Sequence, residues 1–319
     1  MCDPVIEFKN VTKKYSNYIA LNNLNLSIQS GEIFGLLGPN GAGKTTIILM
    51  LLGLSECNSG FINICGSPVI HRSAKAKQLI GYLPDNVGFY KNLTGRENLE
   101  LICKLNKIES GLIPHRVETL LQMVDMEKFA NKKTSTYSRG MKQRLGIAQA
   151  LVKFPKILIL DEPTLGLDPS GVQELLTLVK TLNERHGITI IISSHNLEQV
   201  QKICHRVCIL ICGKIKAIGS LETLAAGLGA NNGFQTFIRW QGEINIPLSK
   251  LSKIIKSIEP SISIEWGEDH MVVNSPVACT PSIVEVCINN KIAVEEVRSN
   301  HLNLSDIYER HLPLPTQNL

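Results

Sequence analysis

Nowhere in the 319-residue chain does an apolar run approach the ~18 residues that a membrane-crossing helix requires. The opening MCDPVIEF lacks both a basic n-region and an apolar h-region, so it does not read as a signal peptide. The chain is therefore expected to stay in the cytoplasm. Cysteine is present but unorganised. The nine Cys are odd in number and contain no CxxC pair, which argues against the tight pairs of a zinc site. Cys204, Cys208 and Cys212 are spaced by four, which would align them on a helix. The segment that holds them, ICHRVCILIC, reads instead as a helix end running into a buried strand, where Cys serves as a small apolar residue. Sustained heptads and internal repeats are also missing. Charge of one sign is scarce as well: the formal total is +5, which gives no case for nucleic acid by itself. It is uneven, however. Residues 1–219 hold 26 Lys+Arg against 17 Asp+Glu, and residues 220–319 hold 7 against 11. The basic part could face acidic ligands or a membrane surface, or simply water.

What is there is a globular composition, 44% apolar and 19% charged, over a length suited to two domains. Residues 5–37 read as short β segments, and a helix is predicted from Lys44 to about Leu52. Asn58-Ser59-Gly60 reads as a turn before the strand FINICG, and LIGYLP as another short strand. Residues 94–130 are mostly helical, opened by a Thr94/Glu97 capping box, with Leu99, Ile102, Cys103 and Leu105 on one face. The apolar run Ile157 to Leu160 suits a buried parallel strand. Helix 170–185 and strand ITIIIS continue the βα alternation of a parallel α/β sheet. After Gly219 the texture changes. GLGANNG (227–233) reads as a linker, and the segments beyond it follow the order βαββαβ, a ferredoxin-like pattern, with a last helix near 304–311. The expected architecture is an α/β domain over 1–226, with a helical subdomain at about 88–152. A linker at 227–233 and a small α+β accessory domain over 234–319 follow.

GPNGAGKT, Gly38 to Thr45, fits G-x-x-x-x-G-K-[ST] with an apolar strand before it and a helix after it. In such a loop the backbone of Gly38, Pro39, Asn40, Gly41, Ala42 and Gly43 surrounds phosphate oxygens. The helix N-terminus adds partial positive charge. Lys44 is expected to reach the β- and γ-phosphates, Thr45 to ligate Mg²⁺, and Thr46 to touch the α-phosphate. ILILDEP supplies the partners. Asp161 emerges at the C-terminal end of a buried strand, where open α/β sheets place ligands, and is expected to hold Mg²⁺ through water. Glu162 beside it is expected to polarise the attacking water.

TYSRGMKQRLGIAQAL (136–151) adds a second phosphate-gripping pattern, a Ser and a Gly at a helix mouth. With GPNGAGKTT, YSRGM, ILILDE, LGLD and SSH in that order over 4–219, the chain resembles the ATP-binding subunits of ABC transporters. This resemblance implies a P-loop NTPase fold, ATP as nucleotide, and two copies facing head to tail with two ATP between them. It implies that Ser138, Gly140 and the start of the following helix grip ATP held by the other copy, and that Asp168 senses the opposite subunit. Asp168 also reads as the N-cap before Pro169, and both roles can coexist. Tyr15 matches the adenine-stacking aromatic, with Tyr18 as the alternative. His195 matches the switch histidine that hydrogen-bonds the γ-phosphate. Two positions depart from the common pattern. Arg139 and Met141 replace a Gly and a Gln of the signature. Asp85 stands where Gln or Glu usually reaches Mg²⁺, and it could act directly or through a bridging water.

Lacking spans of its own, a transporter subunit needs a separate permease at the cytoplasmic face of the membrane. Phe89, Tyr90 and Leu93 offer an apolar socket for a permease helix, or simply pack the subdomain. One nucleotide domain with a small C-terminal domain resembles ATPases of ABC-2-type exporters. GYLPDNVGFYKNLTGRENL, TYSRGMKQRLGIAQAL and LNLSDIYERHL resemble most closely the ATPase subunit of the system that matures the copper sites of nitrous oxide reductase. The rival class is a soluble ABC-type ATPase acting on ribosomes or nucleic acid. The single nucleotide domain and the absence of heptads speak against it, and no nucleic-acid partner is expected.

Overall fold

The computed structural model describes residues 4–69, 78–220, 223–224, 234–242, 244 and 246–301. Two compact units divide the chain, Met1–Ile218 and Gly219–Leu319. The linker expected at 227–233 and the helix expected near 304–311 lie outside the described residues.

The first unit opens with a long hairpin, β1 (Ile6–Tyr15) and β2 (Tyr18–Ile28), followed by β3 (Ile33–Leu37) and α1 (Lys44–Leu51). Strands β4 (Ser59–Ile64) and β5 (Ser67–Pro68) complete a four-stranded antiparallel sheet in the order β2-β1-β4-β5. Ser59 and Gly60 thus begin a strand rather than a turn, because β4 pairs with β1 as far as Ser59. After β6 (Ile80–Leu83) come α2 (Gly95–Leu105), α3 (Ile113–Met123) and α4 (Arg139–Ala150). The chain then runs through β7 (Ile157–Asp161), α5 (Pro169–His186), β8 (Thr189–Ser194), α6 (Leu197–Gln201), β9 (Arg206–Ile211) and β10 (Lys214–Gly219).

The second sheet has six strands in the order β10-β9-β3-β8-β7-β6, with β9, β3, β8, β7 and β6 mutually parallel. Its central strands are mostly apolar, as suits strands covered on both faces, with polar Asp161, Ser193 and Ser194 at the C-terminal ends of β7 and β8. Period-two alternation divides them between two cores. Phe34, Leu36, Ile157, Ile159 and Ile191 join α1 and the antiparallel sheet. Ile33, Leu158, Leu160, Ile190 and Ile192 join the helical side with α4 and α5. The layering thereby brings the C-terminal ends of β3, β7 and β8 to one edge, where the loops with the candidate site residues begin.

Helix α2 starts at the expected capping box. Thr94 Oγ1 accepts from Glu97 N–H at 3.2 Å, and Glu97 Oε2 accepts from Thr94 N–H at 2.7 Å. Leu99 and Cys103 are buried and Ile102 packs beside them, but Leu105 is 66% exposed. Six residues on from Leu99 is about 240° around the helix, off the shared face. Thr94→Ala is expected to lower unfolding stability by about 1 kcal/mol through loss of the cap. A urea melt checks this, and an unshifted midpoint refutes it.

The second unit contains β11 (Phe234–Gln241), α7 (Leu248–Ile258), β12 (Ser263–Trp266), β13 (His270–Ser275), α8 (Thr280–Asn289) and β14 (Ala293–His301). Its antiparallel sheet has the order β12-β13-β11-β14. Ile238, Trp240, Met271 and Val273 on one sheet face pack with Leu251, Ile255, Ile283 and Cys287 from the two helices.

Candidate active site

The loop after β3 turns sharply into α1. Gly43 precedes the helix with φ 110°, and a Cβ there would lie 2.8 Å from Ala20 O and 2.8 Å from Leu21 Cδ2. Both backbone conformation and space demand glycine. The loop encloses a cleft of about 370 Å³ lined by Pro39 to Thr46, Tyr15, Tyr18, Asp85, Asp161 and Glu162. Thus nearly every residue the sequence assigns to the first phosphate site borders one cavity. Gly38 lies just behind the lining, and its carbonyl accepts from Lys44 Nζ at 2.6 Å. Lys44 is buried at 8% exposure. Burial pushes its pKa down, and the charges of Glu162 and Asp161 partly oppose that shift.

Asp161 and Glu162 stand where β7 leaves the sheet. Ser193 Oγ donates to Asp161 Oδ1, and Tyr82 O–H donates to Oδ2 at 3.4 Å. Burial, then the Asp161 charge, pushes the Tyr82 phenol up to about 12, so it stays a donor. Sequence reasoning missed Tyr82 and Ser193. Their signal is that β6 and β8 flank β7, a pairing that no local pattern announces. Glu162 has φ 46° and its N–H donates to Ser193 O at 3.0 Å. Its carboxylate is 3.9 Å from Lys44 Nζ and 2.9 Å from His195 Nδ1. Lys44, Glu162 and His195 therefore form one chain of contacts, of which His195 is exposed and lies outside the residues that line the cleft.

The aromatics sit at the turn between β1 and β2. Tyr15 is 43% and Tyr18 56% exposed. Tyr18 O–H donates to Gly41 O at 3.2 Å, whereas the Tyr15 ring has Lys13 Nζ 4.7 Å from its centroid. Both rings border the cleft. Thr45, Asp85 and Asp161 offer oxygen donors only, the set that suits a hard divalent cation such as Mg²⁺.

The second phosphate-type site is a separate cavity of about 450 Å³, lined by Ser138, Gly140, Gly166, Asp168 and residues around them. Ser138 caps α4, its Oγ accepting from Met141 N–H at 3.2 Å. Gly140 is open: a Cβ there would meet only Leu167 Cδ2, at 4.0 Å. Asp168 occupies the N-cap position of α5 with Pro169 next, and Ser170 Oγ donates to its carboxylate. That hydrogen bond leads the causes that hold its pKa below the usual Asp range. The two cavities share no lining residue.

Cys208 is buried and Cys204 half-buried against the core; desolvation pushes both thiols up, Cys208 to about 12, and the Glu32 charge adds to the shift of Cys204. They sit just before and within β9, as the sequence implied, but Cys212 departs from that reading: it is exposed in the turn beyond the strand, with φ 48°.

A glycine-rich loop wrapped into a helix at the edge of a parallel sheet, facing an Asp-Glu pair, defines a P-loop nucleoside triphosphatase. Residues 21–165 match the ABC transporter family model. The ABC transporter ATP-binding protein YhcH of Bacillus subtilis, itself uncharacterised, is 34% identical over 95% of this chain and 94% of its own length. The linearmycin resistance ATP-binding protein LnrL of the same organism is 36% identical over 86% of this chain and 89% of its own. Among solved structures, a dimeric ATP-binding cassette in a post-hydrolysis state with ADP and Pi matches 68% of this chain and 98% of its own. Its TM-score is 0.60 at 29% identity. The chain belongs to the ATP-binding subunits of ABC transporters, and it is an ATPase of that class.

Proposed function

We propose that this chain hydrolyses ATP as a head-to-tail homodimer at the cytoplasmic face of a membrane, driving separate permease subunits for export. The supporting observation is the separation of the two phosphate-type sites. The P-loop cleft and the Ser138 cavity are lined by different residues, so the Ser138 loop is not part of the wall around this chain's own P-loop. A second copy turned head to tail would bring its Ser138 loop there. The P-loop holds the triphosphate, and the partner's Ser138 loop covers it. Nucleotide then joins the subunits, and its cleavage releases them, which is the differential binding a switch requires.

Within each site Lys44 meets the terminal phosphates, and Tyr15 or Tyr18 stacks on the base. Thr45 and Asp161 would hold Mg²⁺, with Asp85 completing the donor set or acting through water. Bound there, Mg²⁺ would neutralise phosphate charge. Tyr82 and Ser193 fix the Asp161 carboxylate. Glu162 takes the proton of the attacking water, and His195, hydrogen-bonded to it, orients that carboxylate and reaches toward the γ-phosphate.

Export fits the resistance role in the name of the LnrL relative. The motif likeness adds copper-site maturation of nitrous oxide reductase as a specific form of the transport role. The C-terminal unit is read as a ferredoxin-like accessory domain. Of the apolar socket, Phe89 packs against the core, whereas Tyr90 is 63% exposed and open to a permease helix. No helix among the described residues is long and apolar enough to cross a membrane. Purification of the tagged chain from detergent-solubilised membranes is therefore expected to bring a multi-span integral protein with it. Identifying that protein tests the cargo class as well. A chain that associates with no integral protein, and instead binds RNA or DNA tightly and salt-sensitively, overturns the transport role.

A further inference from the structure

Arg139 follows Ser138 as the first residue of α4 and is exposed. What its guanidinium packs on is Gly166. A Cβ built on Gly166 would lie 2.6 Å from Arg139 Nη1, 2.7 Å from Cζ and 3.1 Å from Nε. The guanidinium thus lies in the space that a Cβ at 166 would take, so the approach in this position uses the absence of a side chain there. Gly166 also has φ 70°, which favours glycine independently.

Gly166 is mechanically close to the chemistry. Leu165 N–H donates to Glu162 O at 3.1 Å, and Leu167 N–H donates to Thr164 O at 3.2 Å. Two overlapping turns, 162–165 and 164–167, therefore link Glu162 to Gly166, and two residues further along lies the α5 cap at Asp168. We infer that Arg139 is a positioning residue. Its guanidinium clamps Gly166 and so ties the Ser138 loop, which covers the partner's nucleotide, to the loop that sets this subunit's own Glu162 and Asp168. The inference rests on the two-subunit reading above. It also accounts for arginine at a position where the family commonly has Gly, because a glycine at 139 has nothing to lay on Gly166.

Steady-state ATPase kinetics of the full chain test the clamp. Arg139→Ala is expected to lower kcat about tenfold, with KM changed less than about twofold, because geometry rather than ATP capture is lost. The Hill coefficient for ATP falls toward one. Nucleotide binding measured in the Glu162→Gln background stays unchanged. Arg139→Lys does not rescue, since Lys keeps the charge but has no plane. Gly166→Ala is expected to lose at least as much as Arg139→Ala, because its φ of 70° adds backbone strain to the displaced guanidinium. Full turnover in Arg139→Ala or rescue by Lys overturns the clamp. Should Gly166→Ala fail to fold, the Arg139 pair decides alone. Normal turnover in Glu162→Gln removes the underlying reading itself; normal turnover in Arg139→Ala beside an inactive Glu162→Gln removes only the clamp.

Discussion

Glu162→Gln protein is expected to bind ATP with wild-type affinity, lose turnover by about 10²- to 10⁴-fold, and elute as a dimer when ATP is present. The substitution changes one thing. Size and hydrogen-bonding reach are kept, so the amide can still meet His195 Nδ1, now 2.9 Å from the carboxylate. Basicity is lost, and a neutral amide cannot take a proton from water. The loop N–H groups that would surround the phosphates belong to Asn40 to Thr46 and are untouched. Lys44 loses a carboxylate 3.9 Å away, which frees it for phosphate rather than weakening its grip. Binding therefore survives while cleavage stops, and an ATP-joined dimer that cannot cleave its joint accumulates. Size-exclusion chromatography with light scattering reads the dimer, and phosphate release reads the rate. A Glu162→Gln enzyme that hydrolyses at the wild-type rate removes Glu162 as the base.

How much of this is legible in the sequence depends on the range of the interaction. Residues whose role follows from adjacent neighbours are readable. The GPNGAGKT loop between an apolar strand and a helix, and Asp161-Glu162 after four apolar residues, carry their context within a few positions. The Thr94/Glu97 box is likewise a contact between residues three apart. Contacts between strands or loops far apart in the chain are not readable. Nothing in LIGYLP says that the Tyr82 hydroxyl meets Asp161, because the side-by-side pairing of β6 and β7 spans the whole helical segment. The same holds for Arg139 on Gly166, which joins positions on two different loops. Leu105 departs from expectation for a different reason. Its apolar identity suggests the buried face, but helical angle decides, and the residue lies exposed at the helix end. At Ser59 an Asn-Ser-Gly cluster signals a turn locally, whereas pairing with β1 imposes extension.

The second large effect concerns Ser138. Ser138→Arg protein is expected to bind ATP normally yet lose at least about a hundredfold in turnover, comparable to the loss of a donor aimed at developing charge. Its folding cost is small. The Ser138 hydroxyl accepts only from Met141 N–H, and removal of such a cap costs about 1 kcal/mol. The arginine side chain has room, since Ser138 is exposed and Gly140 beside it faces open space. A local account, in which Ser138 merely starts a helix, therefore predicts a slightly less stable but fully active enzyme. The sandwich account predicts an inactive one, and mixing separates the cause. Lys44→Ala protein has a damaged phosphate loop and an intact Ser138 loop; Ser138→Arg protein has the reverse. Each is inactive alone. In a head-to-tail heterodimer, the good phosphate loop of one meets the good Ser138 loop of the other, and one of the two sites is whole. Random pairing makes about half the dimers heterodimers, so about a quarter of the sites are restored. Recovery of ATPase activity on mixing two dead proteins has no explanation within a single chain. Mixtures that stay dead, although both variants bind partners in a sizing assay, mean that the nucleotide is completed by one subunit alone.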